Sequence, residues 1–89
     1  MIQVYVQIEG HVQGVFYRVN TKEQAVALGI LGWVQNKPDG SVHAEFQGPE
    51  NRINALIDWC HHGPKYADVK NVNIKHVPKL DSFKDFYIR

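Results

Sequence analysis

Cysteine is nearly missing from this chain. Cys60 stands alone, so no internal disulfide can form and packing must hold the fold. Such sparing use suits a reducing compartment, and we expect a cytoplasmic protein. Long apolar runs are missing as well. None approaches the ~20 residues that span a bilayer, and no basic, apolar and small-residue leader opens the chain, so membrane insertion and export are not expected. An excess of one charge is also lacking, because 10 Lys plus Arg face 9 Asp plus Glu with the signs interspersed, a formal net charge of +1. That leaves no basic stripe to recruit nucleic acid. Gly, Pro and Ser nowhere cluster into a linker, and no segment repeats.

What is present is 89 residues, 44% of them hydrophobic and 11% aromatic. We read residues 1–89 as a single domain with one core. By size scaling it buries about 60–65% of the surface its unfolded chain exposes.

The pattern along the chain is well punctuated. In IQVYVQIEG, Val4, Val6 and Ile8 alternate with Gln3, Tyr5 and Gln7, the period of a strand with one buried face, and Gly10 ends it. Asn20 or Thr21 is placed to cap a first helix, with Gln24 at capping-box spacing from Thr21 and Gly29 just past the far end. Pro38-Asp39-Gly40 marks the turn of a hairpin. Its second arm sends Val42, Ala44 and Phe46 to the core and Ser41, His43, Glu45 and Gln47 to a polar face.

Pro49 opens a second helix whose apolar stripe is Ile53, Leu56, Ile57 and Cys60, and Gly63-Pro64 closes it. A strand from Val69 to Val77 follows, with a short one in FKDFYIR. The order is that of an α+β, ferredoxin-like βαββαβ sandwich: an antiparallel four- to five-stranded sheet with two helices on one face.

The stretch GHVQGVFYR, Gly10 to Arg18, joins the first strand to the first helix and is richer than a connection requires. Two glycines free the backbone for close approach, successive N–H groups from His11 to Tyr17 can converge, and Arg18 supplies a planar fork of donors. Those are the parts of an anion cradle next to a helix N-terminus. The loop is not a nucleotide P-loop, because no Gly-Lys-Ser/Thr follows.

GHVQGVFYR resembles the first signature of the acylphosphatases, and GWVQNKPDGSVHAEFQG, Gly32 to Gly48, resembles their second. The resemblance runs over nearly the whole chain, including the terminal FYIR. It implies hydrolysis of the carboxyl-phosphate bond of a small-molecule acyl phosphate to a carboxylate and inorganic phosphate. It also implies catalytic roles for Arg18, which anchors phosphate, and Asn36, which orients the attacking water. The phosphate would rest on His11, Val12, Gln13, Gly14, Val15, Phe16, Tyr17 and Arg18. No metal or cofactor is implied, and neither a nucleic acid nor a membrane; we expect a monomer.

The chemistry suits these residues. Phosphoryl transfer through a loose transition state needs alignment and charge stabilisation, and a carboxylate leaves without strong acid help. His11 and Lys37 stand where Arg and a hydroxyl residue are frequent in the family, and would bear on substrate preference and pH profile. The alternative is a non-catalytic domain that binds acyl phosphate or phosphate for regulation. An RNA-binding reading of the βαββαβ plan fails on SVHAEFQG, which lacks the aromatic-rich motif such a domain carries on its third strand.

Other conspicuous residues are assigned to packing. Trp33, Phe16 and the Tyr17 ring are expected to pack, Gly32 and Gly48 to shape strands, and Glu45 and Asp39 to lie solvated on the hairpin. In WCHH, adjacent histidines at a helix end cannot face one ion and suit the helix dipole, while Cys60 is read as an inert core thiol.

Overall fold

The computed structural model describes every residue from Met1 to Arg89 except Lys79. The elements run β1 (Ile2–His11), α1 (Tyr17–Ala27), β2 (Leu31–Asn36), β3 (Val42–Gly48), α2 (Glu50–His62), β4 (Asp68–His76) and β5 (Phe86–Ile88). Among the described residues the strands form one sheet in the order β4-β1-β3-β2-β5. No helix among them is long and apolar enough to cross a membrane.

Register turns the alternating pattern into a core. Val4 lies opposite Phe46, Val6 opposite Ala44 and Ile8 opposite Val42, and Ala44 also faces Val34 of β2. All of these side chains are buried, in one cluster with Tyr17 and Ala25 of α1 and Ile53, Leu56 and Cys60 of α2. Each large apolar side chain removed from water in this way stabilises the fold by about 1.5–3 kcal/mol. The two helices therefore cover one face of the sheet, as the βαββαβ plan predicts.

The sheet is mixed rather than purely antiparallel. β5 runs parallel to β2, with Gly32 beside Phe86 and Val34 beside Ile88. β4 and β5 occupy opposite edges, so the chain between them crosses the sheet instead of turning back as a hairpin would. Asp81, in that connection, is anchored on the face opposite the helices. There its N–H donates to Gln3 Oε1 at 2.9 Å, Gln3 Nε2 donates to Asp81 Oδ2 at 2.8 Å and to Glu45, and Gln47 Nε2 donates to Asp81 O at 2.6 Å.

This crossing covers part of the polar face. Gln3 and Gln47 are buried, and the second amide also donates to the first at 3.0 Å. Buried amides are tolerated because their donors and acceptors are paired.

Helix α1 also begins earlier than its apparent capping box. Its N-cap is Phe16, in the left-handed region at φ 66, ψ 24, with no side-chain cap bond. Thr21 is a buried interior residue whose hydroxyl donates to Tyr17 O at 2.7 Å. The cause is tertiary: Tyr17, Thr21 and Ala25 are the buried face of α1, and the Tyr17 hydroxyl donates to Cys60 O of α2 at 2.7 Å. Gly29, at φ 68, follows the helix as expected, with its N–H on Val26 O. The earlier start places Arg18 in the first turn of the helix.

Candidate functional site

The β1–α1 loop is pinned from below. Val12, Val15 and Tyr17 are buried, while Gly14 and Phe16 between them are exposed and Gln13 is half-buried. Three apolar pegs thus fix the path of the backbone and leave its polar groups outward. Among the described residues, no protein acceptor takes a main-chain N–H from Gln13 to Val19. The first turn of α1 carries no acidic side chain. Unused N–H groups, the positive end of the helix dipole and Arg18 therefore belong to one short stretch of chain, and a cation at that end is itself favourable only with an anion partner.

The two loop glycines act differently. A bulge separates Glu9 from Gly10, and a Cβ on Gly10 would lie 2.2 Å from Asp68 O and 2.8 Å from Lys70 N. Gly10 is thus required by the close approach of β4. Gly14, at φ 74, has open space where a Cβ would be, and is required for its backbone conformation.

Asn36 arrives from the other side, as the last residue of β2, paired with Val42. The turn that follows is locked by Lys37 N–H on Ser41 O at 2.9 Å and Gly40 N–H on Lys37 O at 3.1 Å. Asp39 accepts from the Ser41 N–H at 3.0 Å and hydroxyl at 2.6 Å, bonds that hold its carboxyl below the usual range. Asp39 is therefore a turn brace as well as a solvated side chain. Gln13 joins loop to turn, because its Nε2 donates to Lys37 O at 2.7 Å and to Ser41 O at 2.9 Å.

A cavity of about 220 Å³ opens between them, lined by Val12, Gly14, Phe16, Tyr17, Arg18, Val19 and Asn36. Asn36 Oδ1 is buried and, among the described residues, has no hydrogen-bond partner. Arg18 is half-buried, and its Nη1 donates to the main-chain oxygen of Arg89 at 3.1 Å. Arg89 is in turn fastened by its N–H on Val34 O at 2.9 Å and by its guanidinium over the Trp33 ring at 4.7 Å.

Of the residues singled out in sequence, Val12, Gly14, Phe16, Tyr17, Arg18 and Asn36 line this cavity; His11, Gln13 and Val15 do not. His11 belongs to β1, opposite Asp68. The Phe16 ring does not pack: it is 72% exposed. Trp33 and Tyr17 do pack, and burial pushes the Tyr17 phenol far up. Burial also pushes the Cys60 thiol up to about 12, which leaves it unreactive. In the WCHH segment, His62 Nδ1 donates to Asp58 O at 3.0 Å, and no cluster of metal-ligating side chains exists among the described residues. Gln13, singled out in sequence for the phosphate, bridges loop to turn instead of lining the cavity. The Arg89 buttress is an additional part, and no local signal marks either contact, since both reach partners distant in sequence.

Comparison with known proteins converges on one family. The acylphosphatase family model matches residues 4–88. An acylphosphatase of Rubrobacter xylanophilus is 42% identical over 87 residues, 98% of this chain and 79% of that protein. One of Syntrophus aciditrophicus is 42% identical over 88 residues, 99% and 92% of the two chains. The crystal structure of acylphosphatase from Bacillus subtilis superposes with a TM-score of 0.97 at 28% identity, covering 100% of this chain and 99% of that one. An acylphosphatase from Coxiella burnetii gives 0.95 at 34% identity, covering 99% and 92%.

Proposed function

We propose a division of labour at this site from the premise that the chain belongs to the acylphosphatase family, hydrolases of the anhydride between a carboxylate and phosphate. Its substrate is a small-molecule acyl phosphate. The phosphoryl group rests on the outward N–H groups of the Gly10–Arg18 loop and the first turn of α1, with the Arg18 fork on its oxygens. Preorganised donors of this kind are worth about 3–4 kcal/mol each in other enzymes. Arg18 also stays charged at any working pH.

The observation that carries the reading is the buried, unpartnered Oδ1 of Asn36 on the same cavity as Arg18. An unpaired buried acceptor costs about 1–3 kcal/mol. A water donating to it regains that energy and is oriented with a lone pair free to attack. An amide is a poor base, so Asn36 positions the water rather than deprotonating it. The water oxygen attacks phosphorus in line as the bond to the acyl oxygen breaks. The electron pair of that bond leaves with the carboxylate, and the water proton ends on phosphate. A carboxylic acid of pKa near 4 needs no general acid to depart.

The test is the hydrolysis of benzoyl phosphate by the wild type and Asn36→Ala, with inorganic phosphate as competitive inhibitor. We expect kcat to fall by about 100-fold or more with the inhibition constant changed little. Lost phosphate binding with normal kcat would contradict the role. We further place the protein in the cytoplasm as a monomer, in keeping with the buried free thiol of Cys60; gel filtration at micromolar concentration checks the second point.

A further inference from the structure

Phe16 is the one non-glycine residue with positive φ among those described, at φ 66, ψ 24. A side chain pays a steric penalty in that region, and an aromatic one has no local hydrogen bond to offset it. The ring is also 72% exposed, so neither the backbone nor the side chain gains from folding in the usual way. The conformation is nonetheless firmly held, because Phe16 O accepts both the N–H of Asn20 at 3.1 Å and its Nδ2 at 2.9 Å. One turn along α1, Val19 is 49% exposed. Both side chains line the cavity that holds Arg18 and Asn36, and neither belongs to the core.

The cavity lining therefore includes two chemically distinct sets of groups, the Arg18 guanidinium and Asn36 amide beside the loop backbone, and the exposed apolar carbon of Phe16 and Val19. An acyl phosphate has two ends of matching chemistry. With its phosphoryl group on the polar set, its acyl group extends toward Phe16 and Val19. Strained and exposed apolar side chains at a functional cavity are accounted for by a ligand that covers them.

We propose that Phe16, with Val19, forms an acyl-binding shelf that makes this enzyme selective for acyl phosphates with aromatic or extended apolar acyl groups over acetyl phosphate. The proposal rests on the placement of phosphate argued above and adds the substrate class. Apolar discrimination is worth roughly 10- to 200-fold per methylene in a closed pocket, and an open shelf covers only one side of the ligand. We expect the wild type to prefer benzoyl over acetyl phosphate in kcat/KM.

The experiment measures that ratio in the wild type, Phe16→Asn and Phe16→Leu, with the thermal midpoint of each. Asn tolerates the left-handed region better than Phe, so Phe16→Asn should raise the midpoint while lowering the benzoyl-to-acetyl ratio about 10-fold. Leu should restore much of the ratio, because the shelf needs apolar surface more than an aromatic ring. A ratio unchanged in Phe16→Asn, or an equal fall on both substrates, overturns the shelf. Failure of the underlying site reading has a different signature: wild-type hydrolysis that Arg18→Ala leaves intact on both substrates would remove the phosphate anchor, and the shelf would fall with it.

Discussion

Arg18 and Arg89, 71 positions apart, meet head to backbone: a guanidinium nitrogen of the first donates to the main-chain oxygen of the second. That bond engages one arm of the fork and leaves the others for phosphate, so the cation is aimed before substrate arrives. Arg89 is held by β2 and by the Trp33 ring, a cation–π contact worth about 0.5–1 kcal/mol at an exposed site. Arg89→Ala removes that contact but keeps a main-chain oxygen, and should raise KM for benzoyl phosphate about 2- to 5-fold with kcat nearly constant. Arg18→Ala should lower kcat/KM by about 100-fold or more. Arg18→Lys should recover only part of it, since a point charge cannot hold Arg89 and two phosphate oxygens together. Wild-type rates in Arg18→Lys would show that charge alone suffices.

Gln13 couples the two halves of the site. Both hydrogens of its amide are used on the turn that follows Asn36, so the loop that cradles the anion and the strand end that carries the amide move as one body. Neither carbonyl depends on Gln13 alone, because Lys37 O also accepts Gly40 N–H and Ser41 O also accepts Lys37 N–H. Gln13→Met should therefore cost only about 1 kcal/mol of stability by denaturant titration. The effect on turnover should be larger, about 10-fold in kcat, because small misplacements of a positioned water are costly. Phosphate inhibition should stay near wild type. If kcat is unchanged, Gln13 serves the fold and not the reaction.

What could be read from sequence is what is local. Val4, Val6 and Ile8, their partners Val42, Ala44 and Phe46, and the stop at Gly29 follow from period and backbone freedom alone, and together they fix the sheet face and helix ends. The burial of Gln3 was hidden because the residue over it, Asp81, is 78 positions away. The start of α1 was misplaced for the same reason. Thr21 and Gln24 have the spacing of a capping box, yet Tyr17 gains a bond to Cys60, 43 positions distant, and draws the helix toward the loop. At the site, Arg18 and Asn36 carry a motif and lie on one cavity, whereas the bonds of Gln13 to Lys37 and Ser41 and of Arg18 to Arg89 join stretches distant in sequence, a pairing that local pattern does not reveal.

The loop glycines allow the fold and site requirements to be separated. Gly10→Ala sets a Cβ 2.2 Å from Asp68 O and 2.8 Å from Lys70 N, both main-chain atoms of the paired strand β4. These atoms cannot swing aside, so β1 and β4 must part near the bulge, and we expect a loss of about 2 kcal/mol or more. Gly14→Ala meets nothing within 4 Å and incurs only the left-handed penalty, about 1 kcal/mol at φ 74. Yet Gly14 lines the cavity and Gly10 does not. Thermal melts should therefore rank Gly10→Ala as the more damaging change, while hydrolysis of benzoyl phosphate by the folded fraction should rank Gly14→Ala lower, since any relaxation of its backbone rotates N–H groups away from the phosphate. The same ranking in both assays would mean that the loop reaches the chemistry only through stability.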